Sequence, residues 1–205
     1  MARNNKHPLK CNYLSITEGD MKGVKVVSGC KKILFSVGIK AEKFAPVSAE
    51  QQMMLKQKYG FDPSKPLVIH VGHCSKGRGL EDFAKIHTAQ RMVVASGMFE
   101  DENVIRILNE ARVKIHKGYL ENVEEVYQMA DAYLFPTRSA EFVISIPLSV
   151  MEALSCGVPV IGYKSFENLN EITGSEGAIT LVDNAEQLDK VLPEVIKKKS
   201  DHSLL

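Results

Sequence analysis

The sequence contains no apolar run long enough to cross a bilayer and no secretory signal, which leaves membrane-spanning and exported classes outside the expected reading. Cysteine is scarce. Cys11, Cys30, Cys74 and Cys156 form no Cys-x-x-Cys pair and no zinc spacing, so a reducing cytoplasm is the expected location. The six histidines are scattered without a ligand spacing, and His70, alternating with apolar neighbours, reads as a packed core residue. Neither charge dominates, with 26 basic against 25 acidic residues. No nucleic-acid partner is therefore expected, and any anion site must be local. The longest basic run, Lys197 to Lys199, reads as a solvated helix end complementing the helix dipole, ahead of a lipid patch making peripheral membrane contact. Internal repeats and low-complexity tracts are absent as well.

What is present is a regular alternation. At 205 residues and 44% hydrophobic content, the chain can bury one α/β domain but is short for two. Strands are expected at Leu67–Val71, Met92–Ala95, Val113–His116, Ala132–Phe135, Val158–Ile161 and Ala178–Leu181. Helices are expected between them at Leu80–His87, Asp101–Glu110, Val123–Ala130, Pro147–Ser155 and near Asn168–Ile172, with a last one at Ala185–Lys198. This pace argues for an α/β fold: a single Rossmann-like parallel sheet with helices on both faces. Before it, Met1 to Lys22 is polar and weakly patterned, and Val24–Val27 and Ile33–Val37 are short strand-like runs. Gly38 to Pro46 reads as a linker. Ala49–Tyr59 reads as a helix capped by Ser48 and closed by Gly60.

The stretch from Asp131 to Tyr163 organises the rest. Ala132–Phe135 and Val158–Gly162 suit buried parallel strands, and the helix between them is expected to open with Pro147 at its first position and to close at Gly157. A helix whose free N–H groups lie at a strand's carboxyl end makes a ready anion site. Two further loops leave strands at the same end. Gly72-His73-Cys74-Ser75-Lys76-Gly77-Arg78-Gly79 carries three glycines and two cations; taken alone, it is equally a solvated turn and a phosphate cradle, and its spacing is neither the P-loop nor the dinucleotide fingerprint. Lys117-Gly118-Tyr119-Leu120-Glu121 reads as an ordinary strand-to-helix turn, or as the lining for a flat base.

These motifs carry a resemblance. Gly38-Ile39 with Phe44 and Pro46, Val71-Gly72 with Ser75, Arg78, Gly79 and Leu80, the run from Gly118 through Tyr127 to Ala130-Asp131, Pro136-Thr137-Arg138-Ser139, and Glu152 through Ile161 resemble, in order and spacing, the C-terminal, donor-binding half of family-4 (group 1) glycosyltransferases of the two-domain GT-B type. About two thirds of the chain is covered. The resemblance implies a nucleotide-diphospho-sugar substrate, such as a UDP- or GDP-sugar, and hexose transfer with retention. No cofactor or metal is implied, because basic side chains and a helix dipole neutralise the leaving diphosphate. Carried over by position, Glu152 holds the ribose, Arg78 with Gly72, His73 and Lys76 meets the diphosphate, the backbone at Leu148 and Ser149 supports phosphate or sugar, and Tyr119 and Leu120 lie by the base.

Two departures qualify that expectation. The family's first glutamate, eight positions before the one matching Glu152, is Ile144 here. Glu141 stands eleven before and can substitute only if the loop bulges. The resemblance also divides the chain into residues 1–37 as the tail of a missing N-terminal half, 38–47 as linker and 48–205 as a nucleotide-sugar-binding domain. On that division the acceptor wall comes from a missing N-terminal domain or a separate subunit, and the chain alone is expected to transfer weakly or not at all. The alternative is a non-catalytic nucleotide or nucleotide-sugar binding module that works with an acceptor-binding partner.

Overall fold

Six short runs of buried apolar residues assemble into one parallel sheet in the computed structural model, which describes residues 7–35, 37–97, 100–139, 141–172 and 177–200. The outer ends of the expected segments, and Ser36 inside the expected strand Ile33–Val37, lie outside those residues. The sheet comprises β3 (Leu67–Gly72), β4 (Gln90–Ala95), β5 (Lys114–Lys117), β6 (Ala132–Phe135), β7 (Val160–Tyr163) and β8 (Ile179–Val182). Their order across the sheet is β5-β4-β3-β6-β7-β8, all pairs parallel. Consecutive strands step outward from β3 to β5, and the chain then returns to β6 and steps outward the other way. The crevice above this reversal, at the carboxyl ends of β3 and β6, is where such sheets receive ligands.

Strand residues alternate between two cores, as a sheet covered on both faces requires. Leu67, Ile69, Tyr133, Phe135 and Val160 pack under α2 (Ala49–Lys58), α4 (Val123–Met129) and α5 (Leu148–Ser155). Val68, Val93, Ala132, Leu134 and Ile161 pack under α3 (Glu102–Glu110), α6 (Leu188–Ser200) and a 3-10 helix at Leu80–Lys85. The expected fold class therefore stands, with its boundaries shifted by one or two residues. The expected helix Leu80–His87 is a 3-10 turn instead, entered through Gly79 in the left-handed region. The piece near Asn168–Ile172 is likewise 3-10, over Glu167–Glu171. Pro147 is the cap of α5 and not its first residue, whereas Ser48 caps α2 as its hydroxyl predicts, accepting from the Gln51 amide.

The opening segment has more structure than its polarity suggests. β1 (Tyr13–Ser15) pairs in parallel with β2 (Lys32–Leu34), and α1 (Glu18–Met21) starts at Thr17. The expected strand Val24–Val27 reduces to one bridge, Leu9 to Val26. Residues 38–47 lie against the domain: Phe44 is buried, its carbonyl accepts from Ser155, and Gln128 donates to the Ala45 carbonyl.

The β3–β6 ladder has only two register pairs, Val68 with Ala132 and Ile69 with Tyr133, and side chains extend it at both ends. At the amino end, the Asp131 carboxylate accepts from the Leu67 amide at 2.7 Å, from Lys56 Nζ at 2.6 Å and from Gln52 at 2.9 Å. At the carboxyl end, the Tyr133 hydroxyl reaches the Val71 carbonyl at 3.2 Å, and His70 Nδ1 donates to the Leu134 carbonyl at 3.0 Å. The basic run on α6 is largely turned inward: Lys199 donates to the Ala130 carbonyl and Lys198 to Thr180, while Lys197 pairs with Glu194. Among the described residues no helix is long and apolar enough to cross a membrane.

Candidate functional site

The crevice is floored by two tyrosines that hold the candidate residues. Tyr133, fully buried in β6, brings its hydroxyl to 2.9 Å from Ser149 Oγ on the first turn of α5. Tyr127, on α4, donates at 2.6 Å to the carboxylate of Glu152, one turn further along α5. Burial raises the pKa of Glu152, and the phenol donor opposes that rise by favouring the carboxylate. Because the cap of α5 is a proline, no side chain among the described residues caps its first turn; the Val150 amide bonds back to the Pro147 carbonyl at 3.1 Å, which leaves the Leu148 and Ser149 amides at the mouth.

Arg78 enters from the other side. Its guanidinium is half-buried, acts electrostatically on His70 and Tyr133, and holds its Nε with no hydrogen-bond partner among the described residues. Desolvation lowers its pKa, as expected for a cation drawn partly out of water. The loop that carries it is tied to the loop after β6, since Thr137 donates to the Arg78 carbonyl at 3.3 Å. Arg138 pairs with Asp82 at 2.5 Å and lies 4.0 Å from the Tyr163 ring, and Tyr163 donates to the same carboxylate.

Ser149 bonds Tyr133, Arg78 and Glu152 lie within electrostatic reach of it, and Gly72 and Leu148 are the chain neighbours of its partners Val71 and Ser149. The other candidates stand apart. His73 bonds Ser96, toward β4, and Lys76 is exposed on the turn. Tyr119 is 87% exposed beyond β5, while Leu120 packs on the core. Glu141 is exposed, and its amide donates to Ser139 Oγ at 3.2 Å. The glycine turn also differs from an open cradle. Gly77 and Gly79 have positive φ, but a Cβ on Gly77 would strike the Phe142 ring and one on Gly79 the Pro136 carbonyl, so the chain's own atoms occupy that space.

Sequence reasoning gave Tyr127, read only as part of the Gly118–Asp131 run, and Tyr133, whose pattern signals core, no role in the site, and it missed Asp20. That carboxylate accepts from Thr17 at 2.8 Å and from Ser145, beside Ile144. Asp20, Phe35, Ile144 and Ser145 line a cavity of about 380 Å³ between the opening segment and the mouth of α5.

His70 supplies a pH prediction. Its burial lowers the imidazole pKa from the ordinary 6.5 to about 4. Between those values the unfolded chain binds the extra proton, so stability rises with pH across the window and is lost as pH falls from 6.5 towards 4. The full effect is about 3 kcal/mol. Urea midpoints at pH 7 and pH 4.5 should differ less in His70→Gln than in the parent; equal differences would remove His70 as the cause.

The family model described as Glycosyl transferases group 1 matches residues 66–198. The chain is 28% identical over 138 residues to the sulfoquinovosyl transferase SQD2 of Arabidopsis thaliana, covering 64% of this chain and 26% of that protein. It is 30% identical over 118 residues to the N-acetyl-alpha-D-glucosaminyl L-malate synthase of Bacillus anthracis, covering 53% of this chain and 30% of that protein. Among solved structures, a glycosyltransferase from Rickettsia africae superposes with a TM-score of 0.70 at 12% identity, over 94% of this chain and 57% of that one. Anabaena HepE in complex with UDP-glucose gives 0.66 at 16% identity, over 85% and 50%.

Proposed function

The chain belongs to the group 1 glycosyl transferases, and on that premise we propose that residues 48–205 bind a nucleotide-diphospho-sugar as the donor half of a retaining hexosyltransferase. One observation supports this most: Arg78, the uncapped mouth of α5 and the Tyr127-braced Glu152 converge on the crevice where the strand order reverses. Arg78 and the helix amides would hold the diphosphate and take up its charge as it leaves, with no metal required. Glu152, with one oxygen engaged by Tyr127, would accept from the ribose hydroxyls through the other. Tyr119 and Leu120 would flank the base. The sugar would lie towards the cavity beside Ile144, with residues 38–47 as the connector to the opening segment. An acceptor-binding partner, as a subunit or as further sequence, would complete the cleft.

HepE has been solved with UDP-glucose and with UDP, so UDP is the first ligand to test. Calorimetric titration of the chain with UDP, GDP and their sugars should show nucleotide binding that strengthens with a sugar attached. Glu152→Gln, which removes charge but keeps shape, should weaken UDP by about threefold to tenfold and leave a 2′,3′-dideoxyribose analogue unchanged. Equal effects on both would take Glu152 away from the ribose. A second reading, a non-catalytic binding module, is favoured by Ile144 standing where the family's sugar-binding glutamate is expected. Nucleotide binding that gains nothing from any sugar would support it.

A further inference from the structure

The hydrogens around Tyr133 can be counted. A carbonyl only accepts, so the 3.0 Å contact between His70 Nδ1 and the Leu134 oxygen places a hydrogen on Nδ1. Nδ1 therefore cannot accept from Tyr133, whose hydroxyl lies 3.4 Å away. The phenol's single hydrogen then has two destinations, the Val71 carbonyl at 3.2 Å and Ser149 Oγ at 2.9 Å. If it goes to Val71, the Ser149 hydroxyl turns inward to donate to the phenol. If it goes to Ser149, the serine's own hydrogen is released to point out of the helix mouth.

We propose, building on the nucleotide-diphosphate reading of the same crevice, that Tyr133 is a positioning residue that turns Ser149 into an outward hydrogen-bond donor for a phosphate oxygen. The residues around it suit an anion there. Ser149 sits on the first turn of a helix with no side-chain cap, and the Arg78 guanidinium, with its Nε unpartnered, acts on the same phenol. An arriving phosphate selects the second arrangement: Tyr133 donates to Ser149, and Ser149 donates to the phosphate. No bond is made or broken; two hydroxyls rotate. The phenol is held in register by its stack on His70, with centroids 5.6 Å apart. A phenylalanine would fill the same space and lose only the relay.

The test is a double-mutant cycle on the full 205-residue chain, titrated with whichever of UDP and GDP the parent binds and with the matching nucleoside. Tyr133→Phe and Ser149→Ala should each weaken the diphosphate by about threefold to tenfold. The double variant should be no weaker than either single one, and nucleoside binding should not change. Losses that multiply in the double variant overturn the relay, as do equal losses for nucleoside and diphosphate. Should Tyr133→Phe fail to fold, 3-fluorotyrosine incorporation strengthens the phenol as a donor without removing it. UDP binding should then tighten in the parent but not in Ser149→Ala, and identical responses overturn the relay. A parent that binds no nucleoside diphosphate removes the donor-binding reading itself, and the relay with it; a parent that binds while the losses multiply removes the relay alone.

Discussion

Replacing Asp131 with alanine should destabilise the chain by about 3–5 kcal/mol, because it leaves a buried lysine without its counter-charge. Lys56 exposes only 5% of its side chain, and its ammonium is held between the Asp131 carboxylate and the Lys65 carbonyl. The same carboxylate accepts from the Leu67 amide and from Gln52; Gln52 keeps the Met129 and Ala130 carbonyls, so the losses that count are the counter-charge of Lys56 and the acceptor of Leu67. Lys199 adds to the effect: its burial brings its pKa down to about 8, and Asp131 is the charge that opposes the fall. Urea denaturation would show the midpoint drop. Adding Lys56→Met to Asp131→Ala should restore part of the loss, since an apolar side chain of similar length needs no partner. A single variant within about 1 kcal/mol of the parent would mean that solvent reaches Lys56 and the pair is not a buried one.

The second large effect belongs to Arg78. Its change to alanine should cost the nucleoside diphosphate about 1.5–3 kcal/mol of binding, roughly tenfold to 150-fold in Kd, the worth of a charge-assisted hydrogen bond. Half-burial strengthens the expectation, because a guanidinium already drawn from water has less hydration to give up when an anion arrives. Lysine at this position should recover only part of the affinity, since it keeps the charge and loses the planar fork. Uridine or guanosine, lacking phosphate, should bind parent and variant alike. A diphosphate affinity unchanged in Arg78→Ala would take Arg78 out of the anion site, and Lys76 on the same turn would be the next residue to test.

The fold was legible because a parallel sheet covered on both faces writes itself as short apolar runs between helical patterns. Its failures have local causes. Leu80–Lys85 carries helix-forming residues, yet it is entered from Gly79 in a left-handed conformation and tightens into a 3-10 turn. Tyr13–Ser15 is three residues long, below the length at which alternation can be recognised, whereas Lys32–Leu34 overlaps the expected run Ile33–Val37. At the site, glycine, arginine and glutamate stood out by residue type and spacing, and the structure brings Arg78 and Glu152 to one crevice. Tyr127 and Tyr133 did not stand out, because an aromatic residue in an apolar run signals packing, while the destination of its hydroxyl depends on the neighbouring helix. The glycine turn shows the converse: its residues were read as making room for a ligand, and Phe142 and Pro136 fill that room at Gly77 and Gly79.

The short joint between β3 and β6 couples two properties that are usually separable. Asp131, just before β6, fastens one end of it and Tyr133, two residues on and inside the strand, the other. On the proposed reading, durability and ligand capture would share a seam: a change that lets the two halves of the sheet shear at the lysine end would also misalign the phenol at the other.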